Sequence, residues 1–235
     1  MSPSSKESKD ENWDGLTKAI MARVSYKREY SSKVVDPSEW EACLDLARWA
    51  PSAHNAQPWR FVTFYKQDAS QQAIREGLVE KMAERFRVDM LKDGLEAAVV
   101  EKKTAASKAC FSRAPVLILA CMDLEVMDAY GDDDRSKAER VMAIQSVSAA
   151  IQMLLVAIHS RGLRACWYCA PLFVNDLVKE ILGLPRGWET QAFITMGYPK
   201  RVGGEPVQAR TSRRPVGEIT FTPDHFTPGG GVSGQ

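Results

Sequence analysis

Four short segments hold the side chains best suited to gripping a ligand. The first is Arg23-Val24-Ser25-Tyr26-Lys27. In an extended chain, alternation puts Arg23, Ser25 and Lys27 on one side. A guanidinium, a hydroxyl and an ammonium pointing one way make an anion cradle, although a solvated basic loop has the same composition. The second is Pro51-Ser52-Ala53-His54-Asn55-Ala56-Gln57-Pro58-Trp59. Two prolines fix the backbone on either side of Ser52, Asn55 and Gln57, which offer donors and acceptors without net charge. That set suits a planar heterocycle with several carbonyl and ring-nitrogen positions; an ordinary polar loop would use the same residues. The third is Gly162 to Pro171, which contains Cys166-Trp167-Tyr168-Cys169-Ala170. A Cys-x-x-Cys redox pair needs its first thiol at a helix N-terminus. Here the next helix is expected near Asn175, so a loop whose backbone amides face a ligand is the better reading. The fourth, Ser212-Arg213-Arg214-Pro215, lies in a tail too poor in apolar residues to form a core. A solvated tail would look the same.

Other chemistries find little support. There is no Gly-rich phosphate loop of Walker or Rossmann form and no Gly-x-Ser-x-Gly elbow. Three separated histidines, His54, His159 and His225, argue against a zinc cluster. The formal net charge of +1 gives no bulk field for nucleic acid or a membrane surface. The five cysteines are odd in number and mostly sit in apolar runs, the pattern of reduced thiols in a cytoplasmic protein. No uninterrupted apolar stretch approaches the ~18 residues of a bilayer span, and the polar N-terminus has no signal core.

The elements that must position these segments can be read from periodicity and caps. Residues 1–13 read as a disordered tail, and a helix is expected from Asp14, as N-cap, to Arg23. A second helix starts after Asp36 with Pro37 at its first position and ends at Pro51. Trp59–Tyr65 reads as a strand, and residues 69–112 as charged helix over the surface or the site. Pro115–Met122 is a continuous apolar run, the mark of a central strand. A long helix is predicted over Ser136–Ser160, roughly 36 Å, closed by Gly162. Then come a strand over Arg164–Trp167, a helix over Asn175–Leu182 and a strand over Glu189–Gly197. The order predicts one α+β domain over 14–220, with a small mixed sheet surrounded by helices and a flexible tail over 221–235.

In this order the four segments resemble the FMN-dependent nitroreductase family, over about Asp14 to Glu218. The family pattern is Arg-x-Ser-x-(Arg/Lys), then Pro-Ser-x-x-Asn-x-Gln-Pro-Trp, a long central helix, Gly-Leu-x-x-Cys-Trp, Gly-Tyr-Pro and a late Arg-x-Pro. It is matched by Arg23/Ser25/Lys27, Pro51–Trp59, Gly162–Trp167, Gly197–Pro199 and Arg213/Pro215. The resemblance implies that Arg23, Ser25 and Arg213 hold the FMN phosphate and that Lys27 lies at the pyrimidine edge of the flavin. There its charge would stabilise the anionic reduced ring. It also implies that Pro51, Ser52, Ala53, Asn55 and Gln57 reach a flavin bound mainly by a partner subunit, and that Trp167, Cys169 and Ala170 approach flavin N5. Many members carry Gly or another small residue where Cys169 and Ala170 stand. The implied protein is a homodimer with FMN at its interface. It would move hydride from NADH or NADPH through FMN to a small organic acceptor, with no catalytic side chain demanded and no metal. A narrower resemblance, over Ala138–Val147 and Cys166–Phe173, is to the reductase domain of deazaflavin coenzyme (F-420) biosynthesis. That resemblance implies a dehydro precursor as acceptor; a flavin-binding protein without turnover is the other alternative.

Overall fold

Most element boundaries fall where the chain's own punctuation puts them. The computed structural model describes residues 7–200 and 212–222. Helix α1 (Glu7–Ala22) is the exception: it begins well before Asp14, which lies inside it and caps nothing. Residues 7–13 are thus helical, not a disordered tail. Acidic residues early in a helix are favoured by its dipole, so the run from Glu7 onward can start one without a cap at Asp14. Helix α2 (Pro37–Ala47) starts as expected, with the Asp36 carboxylate accepting from the Ser38 amide at 2.9 Å. It ends at Ala47, four residues before Pro51, in a turn through Arg48–Ala50. Strand β1 (Trp59–Tyr65), helices α3 (Ala69–Lys92) and α4 (Ala97–Arg113), strand β2 (Val116–Asp123) and helix α5 (Asp133–Ser160) follow. Strand β3 (Arg164–Tyr168), helix α6 (Asn175–Leu182) and strand β4 (Trp188–Gly197) complete the described core.

The strands form one sheet in the order β1-β2-β4-β3, antiparallel at every ladder. The expected mixed sheet is therefore antiparallel through its four strands. Among the described residues a parallel element enters only as the single bridge of Ser25 to Ala165. Every residue of β2 is buried, which accounts for its unbroken apolar sequence. Its two faces feed two cores. Val116, Ile118, Ala120 and Met122 meet α2 and α5, where Trp40, Cys43, Val147, Ile151 and Leu154 are buried. Leu117, Leu119 and Cys121 meet Leu78, Met82, Phe111 and Val178 of α3, α4 and α6. At the end of β4 the backbone passes so close to its neighbours that a Cβ at Gly197 would lie 2.7 Å from the Tyr30 ring and 2.8 Å from Pro115.

Helix α5 has 28 residues, about 42 Å. Gly162, at φ +76°, closes it as predicted, with the Leu163 amide returning to the Ile158 carbonyl. By length and composition α5 could cross a bilayer, with a mean hydropathy of 2.0 over 18 residues, although its sequence contains no uninterrupted apolar run of that length; half of that stretch is buried in the fold. Polar residues also shape the core. Arg75 of α3 is fully buried and donates to the carbonyls of Ser112 and Ala114, at the end of α4. Burial pulls its pKa down to about 10, and its guanidinium satisfies two carbonyls at a helix terminus that would otherwise be open.

Candidate active site

The first half of the site is built along the edge of β3. The Ser25–Ala165 bridge, with the Tyr26 amide donating to the Ala165 carbonyl at 2.9 Å, lays Arg23–Lys27 against that strand. Arg23 is half-buried; Ser25 and Lys27 are exposed. At one end, Arg23 stands near His159 of α5 and Arg164 of β3. Burial first, and then these two guanidinium groups, hold the His159 pKa below the ordinary histidine value. At the other end, Lys27 lines a cleft of about 210 Å³ with Tyr26, Ala106, Cys110 and Thr195. The strand then delivers Trp167 and Tyr168. The indole Nε1 of Trp167 is buried with no hydrogen-bond partner among the described residues. The Cys110 thiol donates to the Tyr168 hydroxyl at 2.9 Å, and burial holds the pKa of both groups above their ordinary values. Cys166 is buried inside β3, while Cys169 is exposed at the head of the 3-10 turn Ala170–Val174. A thiol locked in a strand lacks the helix N-terminus that activates a Cys-x-x-Cys pair.

The second half is the loop Pro51–Trp59, which is held by side chains rather than by a ladder. The Ser52 hydroxyl accepts from the Gln57 amide at 3.1 Å, and the Ala53 amide donates to Ser146 of α5 at 3.2 Å. His54, Asn55 and Gln57 adopt φ of 51°, 53° and 49°, the left-handed region that non-glycine residues rarely occupy. Three such residues in four positions store strain of the kind found at functional sites. Arg60 holds the loop in that shape. It donates to the Gln57 carbonyl at 3.1 Å and the Trp59 carbonyl at 2.9 Å, and pairs with the buried Asp123 carboxylate at 2.8 Å. The exposed side chains of Asn55 and Gln57 touch each other only at 3.4 Å, so both keep hydrogen-bonding capacity.

The two halves do not meet within one chain. Both β1 and β3 are edge strands, three steps apart in the sheet. At normal strand spacing that is roughly 14 Å. The fold groups Arg23, Ser25, Lys27, Trp167, Cys169 and Ala170 on one edge, and Pro51, Ser52, Ala53, Asn55 and Gln57 on the other. Arg213 is exposed, with a bond to the Ser212 carbonyl, close to the 3-10 turn Val216–Glu218. Residues 201–211, and the tail beyond Thr222, lie outside the described residues. A cavity of about 620 Å³ is lined by Tyr30, Lys33, Lys66, Arg113 and Lys200 among others and contains none of the expected residues. It sits where β1 ends and β2 begins, at the opposite end of the sheet from Pro51–Trp59. Sequence reading missed Arg60, Asp123, His159 and Arg164. The only signal for Arg164 was its place in the Gly-Leu-Arg run before Cys166.

Comparison with known proteins decides the family. The model of the Nitroreductase family matches residues 20–198, most of the chain. The chain belongs to the nitroreductase family. It is therefore an oxidoreductase of the flavin-using kind. An Archaeoglobus fulgidus protein assigned as an NADH dehydrogenase/NAD(P)H nitroreductase is 26% identical over 186 residues, 78% of this chain and 84% of the relative. A 4-nitrobenzoate reductase from Nocardioides is 26% identical over 213 residues, 83% and 85% of the two chains. The fold agrees with a structure from Desulfovibrio desulfuricans, assigned as a nitroreductase and solved with FMN. Its TM-score is 0.63 at 24% identity, covering 88% of this chain and 95% of that one. The residues of this chain fit such a cofactor: a cluster of cations at one end of β3, an orphaned buried indole donor at the other, and uncharged amides with spare capacity on the loop.

Proposed function

We propose that this chain is an FMN-dependent NAD(P)H oxidoreductase that works as a homodimer, each FMN lying between the β3 edge of one subunit and the Pro51–Trp59 loop of the other. The separation of the two half-sites in one chain carries this reading, because a ligand served by both needs two chains. Exposed apolar residues support it. Leu46 of α2 and Trp49 just after it, Val141 of α5, and Leu172 and Phe173 after β3 are each at least half exposed, apolar side chains that a partner subunit would cover. On this reading Arg23 and Ser25, with Arg213 from the tail, hold the phosphate, and the Lys27 ammonium lies by the pyrimidine edge. Asn55 and Gln57 hydrogen-bond ring heteroatoms of the flavin of the partner subunit. Trp167, Cys169 and Ala170 form the wall beside the reacting edge. FMN, when bound, supplies the redox chemistry, taking a hydride from NADH or NADPH and giving it to a small organic acceptor. The protein's task is to hold donor and acceptor in turn at near-contact distance. The names of the relatives favour a nicotinamide donor and a nitroaromatic or similar planar acceptor.

The purified protein should be yellow or take up added FMN. Anaerobic NADH or NADPH should bleach its visible band, and a nitroaromatic or quinone should restore it. A protein that takes up no flavin would overturn the reading.

A further inference from the structure

The geometry points to a divalent transition-metal site formed by His54, Asp128 and Glu139, which ties the strained loop to helix α5. Three scattered histidines argued against a zinc cluster in the sequence, yet the fold brings one of them together with two carboxylates. One ligand-type atom from each of the three residues lies within 4.8 Å of the others. His54 Nε2 lies 3.9 Å from Glu139 Oε1.

Glu139 carries the case. It is 4% exposed, on the first turns of α5, and its Oε2 is buried with no hydrogen-bond partner among the described residues. A buried carboxylate oxygen needs a cation, a donor or a proton. Beside the Glu139 carboxylate stand the His54 imidazole, which faces its other oxygen, Oε1, and the Asp128 carboxylate; two carboxylates close together repel unless something positive lies between them. An imidazole can supply a charge only when protonated; a metal ion satisfies all three groups at once. One nitrogen and two oxygens suit Zn²⁺ or Mn²⁺, whereas Mg²⁺ and Ca²⁺ favour all-oxygen sets. Bonds of about 2.1 Å would bring the ligand atoms to roughly 3.4 Å of one another. Reaching that requires a small inward rotation of the two exposed side chains, His54 and Asp128. His54 already holds a left-handed backbone conformation that turns it toward α5, and the adjacent Ala53 amide is bonded to Ser146 of the same helix. A bound ion would fix the loop through His54, the approach to α5 through Asp128, and α5 itself through Glu139.

Mn²⁺ is the better probe, because it avoids the five thiols that Zn²⁺ would also find. Titration of the full chain with Mn²⁺, followed by the loss of the free-ion electron paramagnetic resonance signal, should show one saturable site per chain that Zn²⁺ displaces. His54→Gln, Asp128→Asn and Glu139→Gln should each weaken Mn²⁺ binding by at least about tenfold. His54 and Asp128 are exposed, so two of these variants test the site even if Glu139→Gln fails to fold. Absence of saturable Mn²⁺ binding, or wild-type binding by both His54→Gln and Asp128→Asn, would overturn the site and leave only the His54–Glu139 contact. The titration is run with and without added FMN. Mn²⁺ binding by chain that takes up no flavin would keep this site while refuting the flavin reading, and the reverse result would do the opposite.

Discussion

The two half-sites are held in place by different means. The β3 edge gets its shape from backbone pairing: Ser25 bridges Ala165, and β3 lies in register on β4. Its cations are attached to regular structure. The Pro51–Trp59 loop has no ladder, and its shape depends on Arg60, Ser52, Ser146 and three left-handed residues. The first half should therefore tolerate substitution with a loss confined to ligand binding. The second should lose its shape when a single clamp is removed, and with it the contact it offers a neighbouring chain.

The sharpest way to break this contrast is Arg60→Met. It leaves the buried Asp123 carboxylate unpaired and frees the Gln57 and Trp59 carbonyls. The expected cost is about 3 kcal/mol in denaturant unfolding, at the low end for a broken buried pair because the Arg60 side chain is 31% exposed. Next is Arg23→Ala, which should weaken FMN binding by about 1.5–3 kcal/mol while barely moving the unfolding midpoint. Unchanged FMN affinity would show that Arg23 holds no phosphate. Co-expressing Arg23→Ala chains with Asn55→Ala chains sharpens the comparison further. If the halves belong to different subunits, the mixed dimer regains one intact site, read as recovered flavin fluorescence quenching; no recovery would place both halves in one chain. Gln57→Gly is expected to stabilise the flavin-free chain by about 1 kcal/mol, because it removes one strained residue, while weakening the cofactor contact.

The smallest effect concerns pH. The folded His159 pKa lies below its unfolded value, so the unfolded state binds more protons as pH falls. Its contribution to stability is complete above the ordinary histidine range and is lost as pH drops through about 6.5 toward the folded pKa. His159→Gln should flatten that part of the stability profile. A phosphate seated on Arg23 should raise the His159 pKa, which an NMR titration with and without FMN would detect.

Local signals explain what was legible from sequence. Strand β1 and helix α6 have the predicted bounds, because their apolar spacing and flanking residues are local. Strand β2 was legible from its continuous apolar run, and the Asp36-Pro37 start of α2 from its cap. The start of α1 was not, because Asp14 has the chemistry of a cap and nothing nearby rules it out. The four ligand segments could be picked out by residue type. Their clamps could not: Arg60 reaches Asp123, Arg75 reaches the end of α4, and Glu139 reaches His54. Each pairing spans dozens of residues and exists only once the elements that carry it have packed together. The division of the site between two sheet edges was equally invisible, since strand order is a property of the folded chain.

Helix α5 also bears on how the chain is made. It leaves the ribosome before β3 and β4, which supply Ala165, Ala192, Ile194 and Met196 to the core that covers it. From Ser160 to the end of β4 at Gly197, synthesis takes on the order of seconds. During that interval an apolar rod of membrane-spanning length has only the elements made before it to lean on, chiefly α1, α2 and the paired strands β1 and β2. Chaperones that shield such segments, and translation speed across residues 161–197, should therefore govern the yield of this protein more than its final stability does.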